Sequence, residues 1–264
     1  MNPHDEKYAH ALQHLLSVMN DLRDKCPWDN KQTLESLRHL TIEETYELSD
    51  AILEGDLEAI KKELGDLLLH VVFYAKIGSE KQAFDIADVM NSLCDKLITR
   101  HPHVFGDVIV ENEADIKRNW EQLKLTEKGG NQSVLAGVPK ALPALIKALR
   151  IQEKARGVGF DWEHKEEVWE KVEEEITEFK DCFENGTMDK ESAESEFGDL
   201  LFSLVNYARF IDINPENALE KTNQKFIKRF NYMEAAIKRD GKNLDKLTLK
   251  EMDAYWEEAK LSLK

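Results

Sequence analysis

Two short acidic stretches carry residues that could do chemistry. Glu174-Glu175-Ile176-Thr177-Glu178 is followed by Glu196-Phe197-Gly198-Asp199. Glu175 and Glu178 are three residues apart, and so are Glu196 and Asp199. Residues three apart share a helix face. Two such helices packed antiparallel bring four carboxylates to one point. Like charges that close repel, and burying them unpaired is costly. An oxygen-only shell of this kind suits a hard divalent cation, Mg²⁺ or Mn²⁺ in its place. Glu174 stands beside it as a further ligand, as the base for a metal-bound water, or as a surface residue. The plain alternative for the whole set is a solvated acidic face, common in a chain with 52 Asp and Glu residues.

Cations follow. Lys225 and Arg229 are four apart, with Lys228 beside them. Cations near a carboxylate–metal cluster point to a phosphate chain, which Arg grips bidentately and Lys meets as a point charge. The competing reading pairs them with Glu220 or Glu234 on the helix surface. Trp256 could stack on a nucleobase, although a core or interface position is the commoner fate of a Trp. Metal, phosphate clamp and stacking aromatic together describe a nucleotide phosphohydrolase.

The elements that must hold these residues are helices. Apolar residues at helical spacing predict helices over about His4 to Asp24, Gln32 to Leu53, Leu57 to Ile77, Phe84 to Thr99 and Asn112 to Leu125. Leu64, Leu67, Leu68, Val71 and Val72, like Phe197, Leu200, Leu201, Leu204 and Val205, read as core. Residues 126–142, with Gly129-Gly130, Gly137 and Pro139, read as a linker between domains 1–125 and 143–264.

The second half retraces the first. Glu44 matches Glu175 (175 − 44 = 131), and Glu63 and Asp66 match Glu196 and Asp199 (196 − 63 = 133). Lys96 and Arg100 match Lys225 and Arg229, and Trp120 matches Trp256. The break at Cys26-Pro27-Trp28-Asp29 falls opposite Gly159-Phe160-Asp161-Trp162. A solvated acidic face has no reason to recur with its cations in register. Glu43, Glu44, Glu47, Glu63, Asp66, Lys96 and Arg100 therefore form a second, weaker candidate site. It is weaker because Asp95 adjoins Lys96, and because Leu40 stands at the position of Lys171.

Composition narrows the class. Scarce Gly and Pro, 33% charged residues and long periodic runs point to an all-α protein. A net charge of −16 argues against a nucleic-acid-binding surface. Cys26, Cys94 and Cys182 form no disulfide or zinc pattern, which suits a reducing cytoplasm. No leader and no membrane-spanning run is evident. A helical nucleotide-binding regulator and a di-iron oxidase bundle stay open, although the latter uses Glu-x-x-His pairs where both pairs here end in Asp.

The combination resembles the MazG-type, all-α nucleoside triphosphate pyrophosphohydrolases. Glu43-Glu44-Thr45-Tyr46-Glu47, Glu63-Leu64-Gly65-Asp66 and Arg100-His101-Pro102-His103-Val104-Phe105 carry the likeness in the first half. Val158 to Trp162, Glu196 to Phe202 and Lys225 to Phe230 carry it in the second. The resemblance implies two tandem helical bundles, each completed by homodimerisation. It implies Mg²⁺-dependent cleavage of nucleoside triphosphates between the α and β phosphates, with broad base tolerance. It places catalysis in the second domain, with metal on Glu175, Glu178, Glu196 and Asp199. Catalytic roles fall to Glu174, Glu175 and Glu178. Nucleotide contact falls to Lys171, Val172, Glu173, Glu174, Glu175, Asp199, Lys225, Phe226, Lys228, Arg229 and Trp256. Ser192-Ala193-Glu194-Ser195 departs from the pattern, where a Lys is expected.

Overall fold

The computed structural model describes residues 3–110, 116, 123, 133–183 and 189–263. Ten helices and no strand are formed among them. The expected helix Asn112 to Leu125, with Trp120, lies outside the described residues. The chain divides into two compact units, Met1–Ile109 and Val110–Lys264. Within the stretch expected to be linker, Val134–Gly137 forms a 3₁₀ turn packed on the next helix.

The first unit comprises α1 (Pro3–Lys25), α2 (Leu34–Glu54), α3 (Leu57–Glu80), α4 (Ile86–Arg100) and the single turn α5 (Pro102–Phe105). Its centre is the α2–α3 hairpin. Thr33 opens α2 by accepting a bond from the Ser36 amide, while Ser36 reciprocates. Gly55, at φ +72°, ends α2 in the left-handed region that suits glycine. Asp56 then caps α3 through the Glu58 and Ala59 amides. This two-residue reversal sets the acidic faces of α2 and α3 side by side. Behind them lies a core of Met19, Leu37, Val72, Phe73 and Ile77.

The second unit repeats the hairpin with α7 (Lys165–Asp181) and α8 (Lys190–Phe210). α6 (Ala144–Arg156) packs on α8, α9 (Pro215–Arg239) on α6 and α8, and α10 (Leu249–Ser262) on α9. Val168, Val172 and Val205 are buried within it. A second cluster, Met233, Ala236, Ile237 and Tyr255, joins α9 to α10.

The expected cores of α3 and α8 are met only in part: Val72 and Val205 are buried and Leu67 and Leu200 half-buried, but the remaining members are exposed. Leu64, Leu68 and Val71 on α3 are exposed at 53%, 45% and 43%. Their counterparts Phe197, Leu201 and Leu204 on α8 are exposed at 47%, 44% and 40%. These stripes are apolar but are not covered by their own unit.

Candidate metal and nucleotide site

In the second unit, α7 and α8 bring one carboxylate oxygen each of Glu175, Glu196 and Asp199 within 4.8 Å of one another. Glu175 is buried, Glu196 half-buried and Asp199 exposed. Oε2 of Glu175 is buried with no hydrogen-bond partner among the described residues. A buried carboxylate oxygen left unpaired is unfavourable, so the group fits a cation that takes oxygen ligands. Glu178, a turn further along α7 and exposed, is not in this closest group. It still lies within its field. Loss of hydration, then the charges of Glu175, Glu174 and Glu196, raise its pKa, against the opposing pull of Lys171.

Lys171 supplies the positive charge in the structure. Its ammonium is 2.8 Å from Glu175 Oε1 and 3.1 Å from Glu174 Oε1. The bond to Glu175 is the main cause of its raised pKa, with the bond to Glu174 adding to it. Other expected nucleotide contacts are placed as follows. Val172 is wholly buried, which leaves contact from this turn to its neighbours. Glu173 accepts a bond from Trp169 Nε1 at 2.9 Å. Lys225, Lys228 and Arg229 on α9 form no ion pair among the described residues, so pairing with Glu220 or Glu234 does not account for them. Arg229 Nε is buried without a partner among the described residues, a donor in want of an acceptor. Phe226 lies 5.1 Å from Trp256, ring centre to ring centre, and stacks on Phe230. Trp256 packs against the α9–α10 cluster.

The first unit builds the same group from Glu44, Glu63 and Asp66, again within 4.8 Å. Here Glu63 is the buried member, and its Oε2 has no partner among the described residues. Lys62 lies 2.8 Å from Glu63 and 3.6 Å from Asp66. Burial, then the charges of Asp66, Glu47 and Glu63, raise the pKa of Glu44. Glu43 and Glu47 are exposed on α2, and Lys96 is exposed on α4. His70, read from the sequence as structural, is buried with Nδ1 3.0 Å from Thr41 Oγ1. It is not among the clustered carboxylates.

Sequence reasoning missed the cavity beside the second cluster. It has a volume of about 370 Å³, and Lys171, Glu175 and Asp199 form part of its wall. Phe160, Trp162 and Phe202 line it, with Gln152, Ser203 and Asn206. An ion pair closes one side: Arg209 donates to both oxygens of Asp161, at 3.0 and 2.5 Å. Arg209 also donates twice to Asn206 Oδ1.

The MazG nucleotide pyrophosphohydrolase domain matches this chain twice, at residues 32–105 and 163–233. Those segments contain the two carboxylate hairpins. The chain is 48% identical over 252 residues to the nucleoside triphosphate pyrophosphohydrolase/pyrophosphatase MazG of Thermotoga maritima, covering 94% of this chain and 95% of that one. It is 41% identical over 254 residues to the nucleoside triphosphate pyrophosphohydrolase of Escherichia coli K12, covering 94% and 97%. It is 46% identical to the uncharacterised protein YabN of Bacillus subtilis, covering 95% of this chain but 52% of that one. With both hairpins matched and its relatives collinear over nearly its whole length, the chain belongs to the MazG nucleotide pyrophosphohydrolase family.

Proposed function

We propose that the chain hydrolyses nucleoside triphosphates between the α and β phosphates, releasing the monophosphate and pyrophosphate, in the second unit and with Mg²⁺. The observation that carries this reading is the Glu175–Glu196–Asp199 group with its unpartnered buried oxygen, set beside a cavity in a MazG segment. Glu175, Glu196 and Asp199 would hold the metal, with Glu178 completing the shell. When bound, Mg²⁺ polarises the phosphoryl group and acidifies a coordinated water. Glu174, exposed beside the group, would orient the attacking water and take its proton. Lys171, paired with Glu175 Oε1, would turn its ammonium to a phosphate oxygen of the bound nucleotide. Lys225, Lys228 and Arg229 supply further phosphate contacts. Base tolerance is broad, as a role in clearing the nucleotide pool requires.

The working form is a homodimer. The support is the uncovered stripe that recurs at the same register on α3 and α8. An apolar strip repeated on both carboxylate helices calls for cover from another chain. Sedimentation should give a dimer, and Leu68→Glu with Leu201→Glu should give a monomer. A wild-type monomer at micromolar concentration would sink this part.

The activity itself is tested by product analysis over a panel of NTPs and dNTPs, with Mg²⁺ and with EDTA. Monophosphate and pyrophosphate are expected, and none with EDTA. Diphosphate and orthophosphate as products, or indifference to EDTA, would overturn the reading.

A further inference from the structure

The loop between α6 and α7 is tied to the rest of its unit by one side chain. Its first turn still leans on α6: Gly159 donates to the Arg156 carbonyl at 2.9 Å and Phe160 to that of Ala155 at 3.0 Å. Gly159, at φ +87°, then turns the chain away. From Asp161 to Glu163 the backbone makes no backbone hydrogen bond among the described residues. The Asp161 carboxylate takes over. It accepts from both terminal nitrogens of Arg209 at 3.0 and 2.5 Å, and from the Trp162 amide at 3.1 Å. The Arg209 side chain is 6% exposed, and Asn206 Oδ1 accepts two further bonds from it. A guanidinium gripped in this way meets a carboxylate in one orientation. Such a buried pair adds little stability that apolar packing would not; it does fix where the loop lies.

The place it fixes is measured from the metal group. Asp199, Phe202, Asn206 and Arg209 stand at i, i+3, i+7 and i+10 on α8, a single stripe of that helix. A candidate metal ligand lies at one end of the stripe and the loop's anchor at the other, about 15 Å along the helix. The fold does not demand this arrangement. In the first unit, Arg23 on α1 holds the equivalent loop by three backbone carbonyls. Its counterpart Arg156 (23 + 133 = 156) is 3.5 Å from Asp161 and 56% exposed. At the positions of Asp161 and Arg209 the first unit has Trp28 (161 − 133 = 28) and Lys76 (209 − 133 = 76). Lys76 approaches Glu80 of its own helix. The second unit has therefore moved the grip from the helix before the loop to a carboxylate helix.

We propose that Arg209, oriented by Asn206, is a positioning residue for nucleotide turnover: through Asp161 it registers the 159–162 loop to the helix of Glu196 and Asp199 before nucleotide arrives. The proposal rests on the nucleotide reading of the carboxylate group. A loop already in register spares the nucleotide the entropy of ordering it. Arg209 hydrogen-bonds only Asp161 and Asn206 among the described residues. Its effect therefore falls on KM, and neither the metal group nor the chemical step depends on it directly.

The test uses the full chain with Mg²⁺ and ATP. Arg209→Met should raise KM by about tenfold or more, the scale of ordering a short loop on binding. It should keep kcat within about threefold of wild type and leave Mn²⁺ affinity, measured without nucleotide, at the wild-type value. Adding Asp161→Asn should raise KM no further, because both substitutions break one pair. A folded Arg209→Met with wild-type KM overturns the proposal, and so do additive effects of the two substitutions. Joint weakening of ATP and Mn²⁺ also overturns it, since the arginine then only props the hairpin. If Arg209→Met does not fold, the double variant, which leaves neither charge of the pair behind, goes through the same KM and Mn²⁺ measurements. Failure of that variant to fold makes the pair structural and overturns the proposal. Absence of turnover by the wild type with every nucleotide counts instead against the pyrophosphohydrolase reading. Calorimetric ATP binding with Ca²⁺ then replaces KM: weaker binding by the variant sustains the proposal and equal binding overturns it.

Discussion

Lys171 and Lys62 occupy equivalent roles from opposite helices. Lys171 sits on α7, the first carboxylate helix of its unit, and bonds the buried Glu175. Lys62 sits on α3, the second carboxylate helix of its unit, and bonds the buried Glu63. Counterpart positions hold no cation: Leu40 faces Lys171 (171 − 131 = 40), and Ser195 faces Lys62 (62 + 133 = 195). Each unit thus keeps one ammonium on its deepest carboxylate, with the other oxygen of that carboxylate unpartnered among the described residues. An ammonium there competes with a divalent cation for the same group. The pair is partly open to solvent, with 38% of the Lys171 side chain exposed, so its worth is modest. Lys171→Met should therefore tighten Mn²⁺ binding in the absence of nucleotide by about threefold, up to tenfold. It should also raise KM for nucleotide. Paramagnetic resonance titration of free Mn²⁺ reads the first effect, and weaker Mn²⁺ binding would contradict it. The ligand types and their spacing were legible in the sequence. The lysine exchange was visible only as Leu40 and Ser195 standing where cations were expected, and its meaning needed the burial of Glu63 and Glu175.

At the scale of elements, each unit clamps the loop before its carboxylate hairpin with one arginine, again from opposite sides. In the second unit Arg209, at the end of α8, grips Asp161. In the first, Arg23 on α1 donates to the carbonyls of Asp29, Asn30 and Gln32 and pairs with Glu80 at the end of α3. The Arg23 guanidinium holds Glu80 below the usual carboxylate range, chiefly through their hydrogen bonds. A carboxyl whose folded pKa lies below its unfolded one binds fewer protons folded than unfolded between the two values. Stability from this pair is therefore full above the unfolded pKa of 4.5 and is lost as pH falls from there through the folded value. The lead in urea midpoint that wild type holds over Glu80→Gln should be constant from pH 7 to about 5 and shrink below 4.5. Glu80→Gln should start lower at pH 7 and drop less. Parallel pH profiles for the two proteins would refute the assignment. Helix positions were readable from apolar spacing, and the ends that the structure gives at Thr33, Gly55 and Asp56 agree with it. The destination of the apolar faces was not. Leu64, Leu68 and Val71 repeat at helical spacing, which says that a face avoids water; it does not say whether its own chain covers it. Gln152 and Asn206 escaped notice for a related reason, since two amides on helix faces look like surface residues until the cavity around them is seen.

For the whole molecule, the duplication leaves two carboxylate groups of equal make-up in unequal surroundings. Both have three oxygens within 4.8 Å and, among the described residues, one buried oxygen without a partner. Metal binding asks for little more, so both should load. Turnover also asks for room for the nucleotide, and where Gln152 and Asn206 line a cavity in the second unit, the first has Met19 and Phe73 (152 − 133 = 19; 206 − 133 = 73) in its core. Its clamp is also weaker, with Asp95 beside Lys96. Metal binding and catalysis should therefore separate along the chain. Wild type should bind Mn²⁺ in both units, counted by equilibrium dialysis per chain. Glu63→Gln should lose the first unit's share and keep pyrophosphate release within about threefold of wild type, since its carboxylate touches no reacting atom. Glu175→Gln should lose the second unit's share and lower release by about a thousandfold, the scale expected when charge stabilisation at the reacting phosphate is removed. If Glu63→Gln silences the enzyme while its melting temperature stays at the wild-type value, the first unit takes part in the chemistry and the assignment of the two halves is reversed or shared. If Glu63→Gln lowers both together, repeating the measurement with Glu44→Gln, on the other helix and less buried, distinguishes a damaged core from a lost metal ligand.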